Sequence, residues 1–321
     1  MRSEALSPPA AHRGPVARGM SPGRLVWRRF LRHRLAVASG VVLVLLALAS
    51  AAAPLIALVL GHDPNAVDLL GRFQPPSAAH PLGTDELGRD LLLRLLYGGR
   101  VSLFVGLVGA FAAAVLGTVI GLLAGYLGGR LDALLMRLTD AVIALPLLPL
   151  LIVLAAVDLT ELGLPQEVAR SEGTSLYRIL LIIALVGWTT VARLVRGAAL
   201  SVRTRDYVRA AVALGAGPLR IMARHVLPNV VSPIIVATTL SVGNVILLES
   251  TLSFLGLGIQ PPLPSWGNML TGAQEMIWSR PMLAVWPGLM IFLTVIACNL
   301  AGDGLQDALD PRTLYGRGKS G

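Results

Sequence analysis

The sequence predicts an all-α integral membrane protein, a polytopic bundle of six membrane-crossing helices. Three observations carry that expectation. The 321 residues are 55% hydrophobic and only 14% charged, where a soluble domain is about a quarter charged. Apolar runs long enough to cross a bilayer, which takes about 20 residues of helix, recur six times, near 36–60, 101–127, 134–157, 177–197, 230–252 and 282–302. The basic residues between those runs are distributed unevenly, as the positive-inside rule expects of a membrane protein.

Taken in order, residues 1–23 are rich in Pro, Gly, Ala, Ser and Arg and read as a disordered tail. Residues 24–60 hold the first crossing. Its run of about 25 apolar residues exceeds the 7–15 of a signal-peptide core, although "ALASAAAP" ends in small residues as a cleavage site does. Residues 61–100 form an extracytoplasmic loop. Residues 101–305 carry the other five crossings, with a polar loop at 199–228 between the fourth and fifth, and 306–321 form a second tail. With the N-terminus inside, the inner segments hold 20 of the 27 Lys and Arg, and the outer loops hold ten of the 18 acids. Both termini are therefore expected in the cytoplasm. This placement also explains the net charge of +9 without nucleic acid.

Within the second run, Gly117, Gly121, Gly125 and Gly129 recur every four residues along one helix face, where a missing side chain lets another helix approach. Packing inside the bundle is the simpler reading; a seam between subunits is the other. Trp266, Trp278 and Trp286 fall in or beside the last outer loop and suit interfacial anchoring. That loop, "SFLGLGIQPPLPSWGNML", is too rich in Pro and Gly for a crossing and suggests a structured cap.

The most informative stretch is "YVRAAVALGAGPLRIMARHVLPN", residues 207–229. Val208, Ala211 and Val212 give a short helix with one apolar face. Gly215 supplies a left-handed residue to close it, Pro218 opens a second helix, and Pro228 is expected to end that one where the fifth crossing begins. A bare linker would be shorter and less patterned. A DNA-reading helix-turn-helix has similar spacing, but this one is tethered within a dozen residues of a crossing at each end. A docking knob for a soluble partner is the remaining use.

That stretch resembles the cytoplasmic signature of permeases in binding-protein-dependent ABC importers: Glu-Ala-Ala, three residues, Gly, nine residues, Ile, one residue, Leu-Pro. Ala210, Ala211, Gly215, Leu227 and Pro228 match in register; Arg209 and His225 stand in place of the glutamate and isoleucine. "HPLGTDELGRDLLLRLLYGGRVSL" (80–103), "LESTLSFLGLGIQPPLPSWGNML" (248–270) and "NLAGDGLQDALDPR" (299–312) are similar to the second permease subunit of dipeptide, oligopeptide and nickel importers. The resemblance implies a type I importer permease in the cytoplasmic membrane. It implies a second permease subunit, two ATP-binding cassette ATPase subunits and an extracytoplasmic substrate-binding protein as partners, with no cofactor and no enzymatic activity in this chain. It further implies that Tyr207, Ala210, Ala211, Leu214, Gly215, Ala216, Leu227 and Pro228 couple the chain to an ATPase. A stand-alone secondary transporter or channel is the alternative, but it favours paired internal repeats, which the sequence does not display. A membrane-embedded enzyme would need clustered catalytic polar residues within the crossings.

Other polar residues have two readings each. Glu249, a carboxylate inside an apolar run, either lines a solute pathway or makes a structural hydrogen bond. Asp85, Arg89 and Asp90, with Glu86, form either a helix cap with surface ion pairs or a contact for the binding protein or a partner permease. Asp140, Asp303 and Asp307 are expected to pair with nearby arginines. The five histidines show no metal-ligand spacing, and the single cysteine, Cys298, can form no intrachain disulfide. The tail "GRGKSG" lacks the first glycine of a phosphate loop, Thr313 standing in its place.

Overall fold

A computed structural model describes residues 22–309, apart from 158, 162, 164 and 170. The two sequence extremes, including most of the expected N-terminal tail and the "GRGKSG" segment, lie outside those residues. Thirteen α-helices follow one another, with no strand among the described residues beyond one bridge between Thr84 and Asp90.

Helix α1 (Pro22–Arg32) is short and strongly amphipathic, with Arg24, Arg28, Arg29 and Arg32 on one side and Trp27 stacked on Phe30. The first crossing is α2 (Arg34–Ala51), which continues as α3 (Ala53–Leu60) after a break beside Pro54. The second is α4 (Leu91–Leu127), 37 residues long. Its first ten residues, nearly three turns, lie in the segment expected as loop.

The third expected crossing is not one helix. Helices α5 (Gly129–Ala144) and α6 (Leu147–Ala156) meet at 89° around Leu145–Pro146. Pro146 has no N–H to continue α5, and a residue before proline is driven to extended geometry; Leu145 has φ −74°, ψ 136°. An unbroken apolar run conceals that corner. After a short α7 (Gln166–Ala169), α8 (Glu172–Arg203) makes the next crossing. Beyond α9 (Asp206–Ala213) and α10 (Pro218–Ile221), a turn of π-helix at Met222–Val226 leads into α11 (Leu227–Phe254). Finally α12 (Trp266–Gln274) caps one end and α13 (Met282–Leu309) crosses back.

Among the described residues, five helices are thus long and apolar enough to cross a membrane, or six crossings if the bent pair is one of them. Alternating directions bring α1, the end of α4, the 204–217 corner and the end of α13 to one face. Contacts confirm the placement: Gly304 packs on Ala36, and Arg203 Nη1 donates to Tyr126 O at 3.1 Å.

The glycines at 117, 121 and 125 serve internal packing. A Cβ on each would fall 2.5, 2.5 and 2.7 Å from the backbone oxygens of Trp188, Ala192 and Arg196, so α4 lies directly on the backbone of α8 over three matched turns. Only glycine permits that approach, and close packing of this kind holds helices together where lipid supplies no hydrophobic drive. Gly129 is not part of the seam; it has φ +60° and turns the chain from α4 into α5. Three buried clusters stack along the bundle. The inner one joins Val191, Val195 and Ala199 to Val208, Ile221 and Val226; a middle one centres on Val105, Ile183 and Val245; an outer one surrounds Trp266. Trp266 is consequently a core residue and no interfacial anchor, its indole N–H donating to Leu95 O at 2.9 Å, whereas Trp278 is exposed.

Candidate functional site

The 204–217 corner is built from anchors inward and apolar side chains outward. Val208 and Ala211, three residues apart on α9, are buried in the inner cluster with Ile221 and Met222. Helix α9 closes in a Schellman arrangement. Ala216 N–H donates to Ala211 O at 3.0 Å, Gly215 N–H to Val212 O at 2.9 Å, and Gly215 has φ +79°. This is the left-handed residue that the sequence led one to expect, and a side chain there is strained. Pro218 then starts α10, where its missing N–H goes unmissed.

The two residues left standing on this corner are large and apolar. Leu214 is 88% exposed and Leu219 76%. Tyr207 and Val212 are also exposed, and Arg205, Arg209 and Arg220 surround them. Exposed apolar side chains beside a polar hairpin make this corner a candidate surface for another protein. Of the eight residues assigned by resemblance, Tyr207, Ala210, Leu214 and Gly215 share this outward face, with Ala216 half-buried beneath them and Ala211 turned inward. Leu227 and Pro228 lie elsewhere, about 15 Å along the continuing helix at 1.5 Å per residue.

Pro228 does not end a helix, contrary to the sequence expectation. Residues 218–254 run as one continuous rod, and Pro228 sits in the first turn of α11. A proline ring inside a helix clashes with the carbonyl four residues back. Here the π-turn widens the helix just before it, Leu227 N–H reaching five residues back to Met222 O, while Asn229 Nδ2 donates to His225 O at 2.7 Å. Leu219 is not among the residues assigned by resemblance; a leucine directly after the opening proline of a polar hairpin is the available signal.

At the opposite end, Glu249 of α11 is completely buried. Ser253 Oγ donates to Oε1 at 2.7 Å, and Ser102 Oγ of α4 and Ser250 Oγ donate to Oε2 at 3.0 and 3.4 Å. The same Ser102 oxygen accepts Trp266 N–H at 3.2 Å, and Ser253 Oγ accepts Ile259 N–H at 3.0 Å. One carboxylate therefore ties α4, α11, the 255–265 loop and α12 together. Ser265 caps α12 in a reciprocal box with Asn268, whose Nδ2 also donates to Leu263 O at 2.7 Å.

The Asp85 cluster is likewise internal, not the set of surface ion pairs that was one expectation. Asp85 Oδ1 accepts the N–H groups of Leu87 and Arg89 at 2.9 Å, and Arg89 Nε donates to Oδ2 at 2.7 Å. Asp90 caps α4 through Leu93 N–H at 2.8 Å and faces His80 Nδ1 at 2.9 Å. Both aspartates are buried. On the inner side, Asp132 holds Arg196 through two hydrogen bonds, Asp140 holds Arg193, and Asp307 faces His33.

Comparison with known proteins adds to this geometry. Residues 117–315 match the model of the binding-protein-dependent transport system inner membrane component, and residues 21–76 match the N-terminal transmembrane domain of oligopeptide transport permease C. A probable D,D-dipeptide transport system permease protein of Escherichia coli K12 is 40% identical over 90% of this chain and 91% of its own length. A glutathione transport system permease protein of Pectobacterium atrosepticum is 40% identical over 93% of this chain and 95% of its own, and one from E. coli O6 is 39% identical over 91% of both.

Proposed function

The chain belongs to the family of binding-protein-dependent transport system inner membrane components, and from that premise we propose how its two ends divide the work of an ATP-driven importer. It is the permease subunit, not an enzyme; ATP hydrolysis resides in separate subunits of such systems. We assign it one half of a solute passage completed by a second, different permease, with one ATPase of a pair gripping the 205–220 corner. The dipeptide and glutathione relatives point to a small peptide or peptide-like solute, delivered by a binding protein from outside.

The observation that carries the coupling role is the exposure of Leu214 and Leu219 on a corner whose base, Val208, Ala211 and Ile221, is fixed in the core. An ATPase cleft that receives those leucines holds the corner as a rigid body. Because α10, the π-turn and α11 are continuous, a displacement of the corner carries α11 with it. Nucleotide binding then favours one access state and nucleotide release the other, through the difference in contact free energy between them. The arginines of α1 and of the corner support a cytoplasmic position for this face and for both termini.

On the outer face, Asp85, Arg89 and Asp90 support the surface that receives the binding protein without themselves forming it, since their charged atoms are engaged within the chain. Glu249 acts as a brace between α4, α11 and α12.

Leu214→Asp tests the coupling role, because an exposed side chain can be charged without disturbing the fold. In proteoliposomes holding the complete complex, ATP-dependent uptake should fall roughly 30-fold or more, as for loss of an interface anchor, with insertion unchanged. Uptake at the native rate would remove the corner from the coupling path.

A further inference from the structure

The bent third crossing and two unpartnered polar side chains converge on one cavity. It measures about 280 Å³ and lies between α4, the α5–α6 elbow, α8 and α11. That is room for roughly nine waters at about 30 Å³ each. Its polar contributors are Thr189 and Thr190 of α8 with Ser241 and Asn244 of α11, and no charged residue lines it among the described residues. Ala113, Thr190 and Asn244 lie 14, 13 and 17 residues from the inner ends of α4, α8 and α11. At 1.5 Å per residue this is about 20–25 Å above the inner face, close to the middle of the bundle. The 16 residues of α5 reach the same height.

Two independent features make this cavity unsuited to lipid. At the elbow, residues 145 and 146 interrupt the helical ladder at membrane depth, and non-helical backbone is tolerated there only where protein or water meets it. Meanwhile Asn244 and Thr190 are exposed, and their side chains form no hydrogen bond within the described residues. An amide and a hydroxyl left bare in hydrocarbon are costly.

Resting on the permease reading above, we infer that this cavity is the water-filled, electrically neutral mid-membrane segment of the solute passage, where Asn244 and Thr190 exchange hydrogen bonds with amide-bearing solutes. Neutral donors and acceptors suit peptide groups and leave charge discrimination to the binding protein. It follows that Glu249, enclosed by serines, lies off the route.

The test uses the complete complex in membrane vesicles, with Cys298→Ala as a cysteine-free background, because Cys298 is the only cysteine and is buried. Asn244→Cys and, separately, Thr190→Cys are exposed to two water-soluble methanethiosulfonates, one cationic and one anionic. Both reagents should modify each site, at rates that agree within about 3-fold after normalisation to a free thiol. Trapping the ATPases in their nucleotide-closed state should change those rates at least 10-fold. Reaction only with a lipid-soluble maleimide, or none in either state, would overturn the passage assignment. A 30-fold preference for one reagent charge would overturn its neutrality. If wild-type uptake proved independent of ATP, the permease reading would fall while the labelling remained interpretable.

Discussion

The two ends of this bundle treat their polar and apolar groups in opposite ways. At the outer end three carboxylates turn inward: Glu249 is enclosed by serines, Asp85 by backbone amides and arginines, and Asp90 by a helix start and His80. At the inner end the chain leaves large apolar side chains, Leu214 and Leu219, in the open. The three outer carboxylates find their partners within the chain, whereas the two leucines of the corner find none among the described residues. A permease must hold shape on one side and transmit a foreign movement on the other, and the contrast reflects that division.

Substitutions can break or sharpen this contrast. The largest effect is expected from Gly215→Val. Its left-handed φ of +79° suits no β-branched residue, so the corner should lose its shape and ATP-driven uptake should drop about 100-fold or more, while the apparent melting temperature in detergent barely changes. Gly215→Ala carries the left-handed strain of any side chain but meets open space around its Cβ and has no β-branch, so it should retain more of the uptake than the valine. Glu249→Ala should do the reverse. Removing the shared acceptor of Ser102 and Ser253 and opening a cavity should cost about 2–4 kcal/mol of stability, visible as earlier thermal unfolding, with uptake per folded complex preserved. Glu249→Gln keeps the volume and should cost less. Gly121→Leu probes the seam between the two ends; separating α4 from α8 should cost about 1–3 kcal/mol, again read by melting. Asp90→Ala removes only a helix cap and should cost about 1 kcal/mol. If Glu249→Ala or Asp90→Ala abolished uptake in well-folded protein, the outer end would be transmitting as well as bracing.

Much of this was legible in the sequence because it depends on neighbours. Gly215 and Pro218 punctuate α9 and α10 within four residues, and a four-residue glycine spacing needs only helix geometry to define a face. The elbow at Pro146 was not legible: prolines also sit inside the continuous helices α11 and α13, at Pro233 and Pro287, so a proline in an apolar run does not announce a corner. Pro228 misled for the same reason, since the π-turn that absorbs it has no simple sequence mark. The surroundings of Glu249 were hidden by distance along the chain, Ser102 standing 147 residues away. Asp85, Arg89 and Asp90 looked like surface ions because their opposing signs sit together in a loop. The fold of residues 68–90 onto themselves, with Arg94 of α4 beside Asp85, buries them.

The uninterrupted rod from Pro218 to Phe254 has a mechanical corollary. Thirty-seven residues make it about 55 Å long, with the exposed corner at its foot and the serine-bound carboxylate near its tip. A tilt of about 5° at the foot would sweep the tip sideways by about 5 Å over that length, roughly the width of a peptide backbone. Gearing of this kind would turn a small tug below into an opening above, with the widened turn at 222–226 the place where such a shaft would first flex.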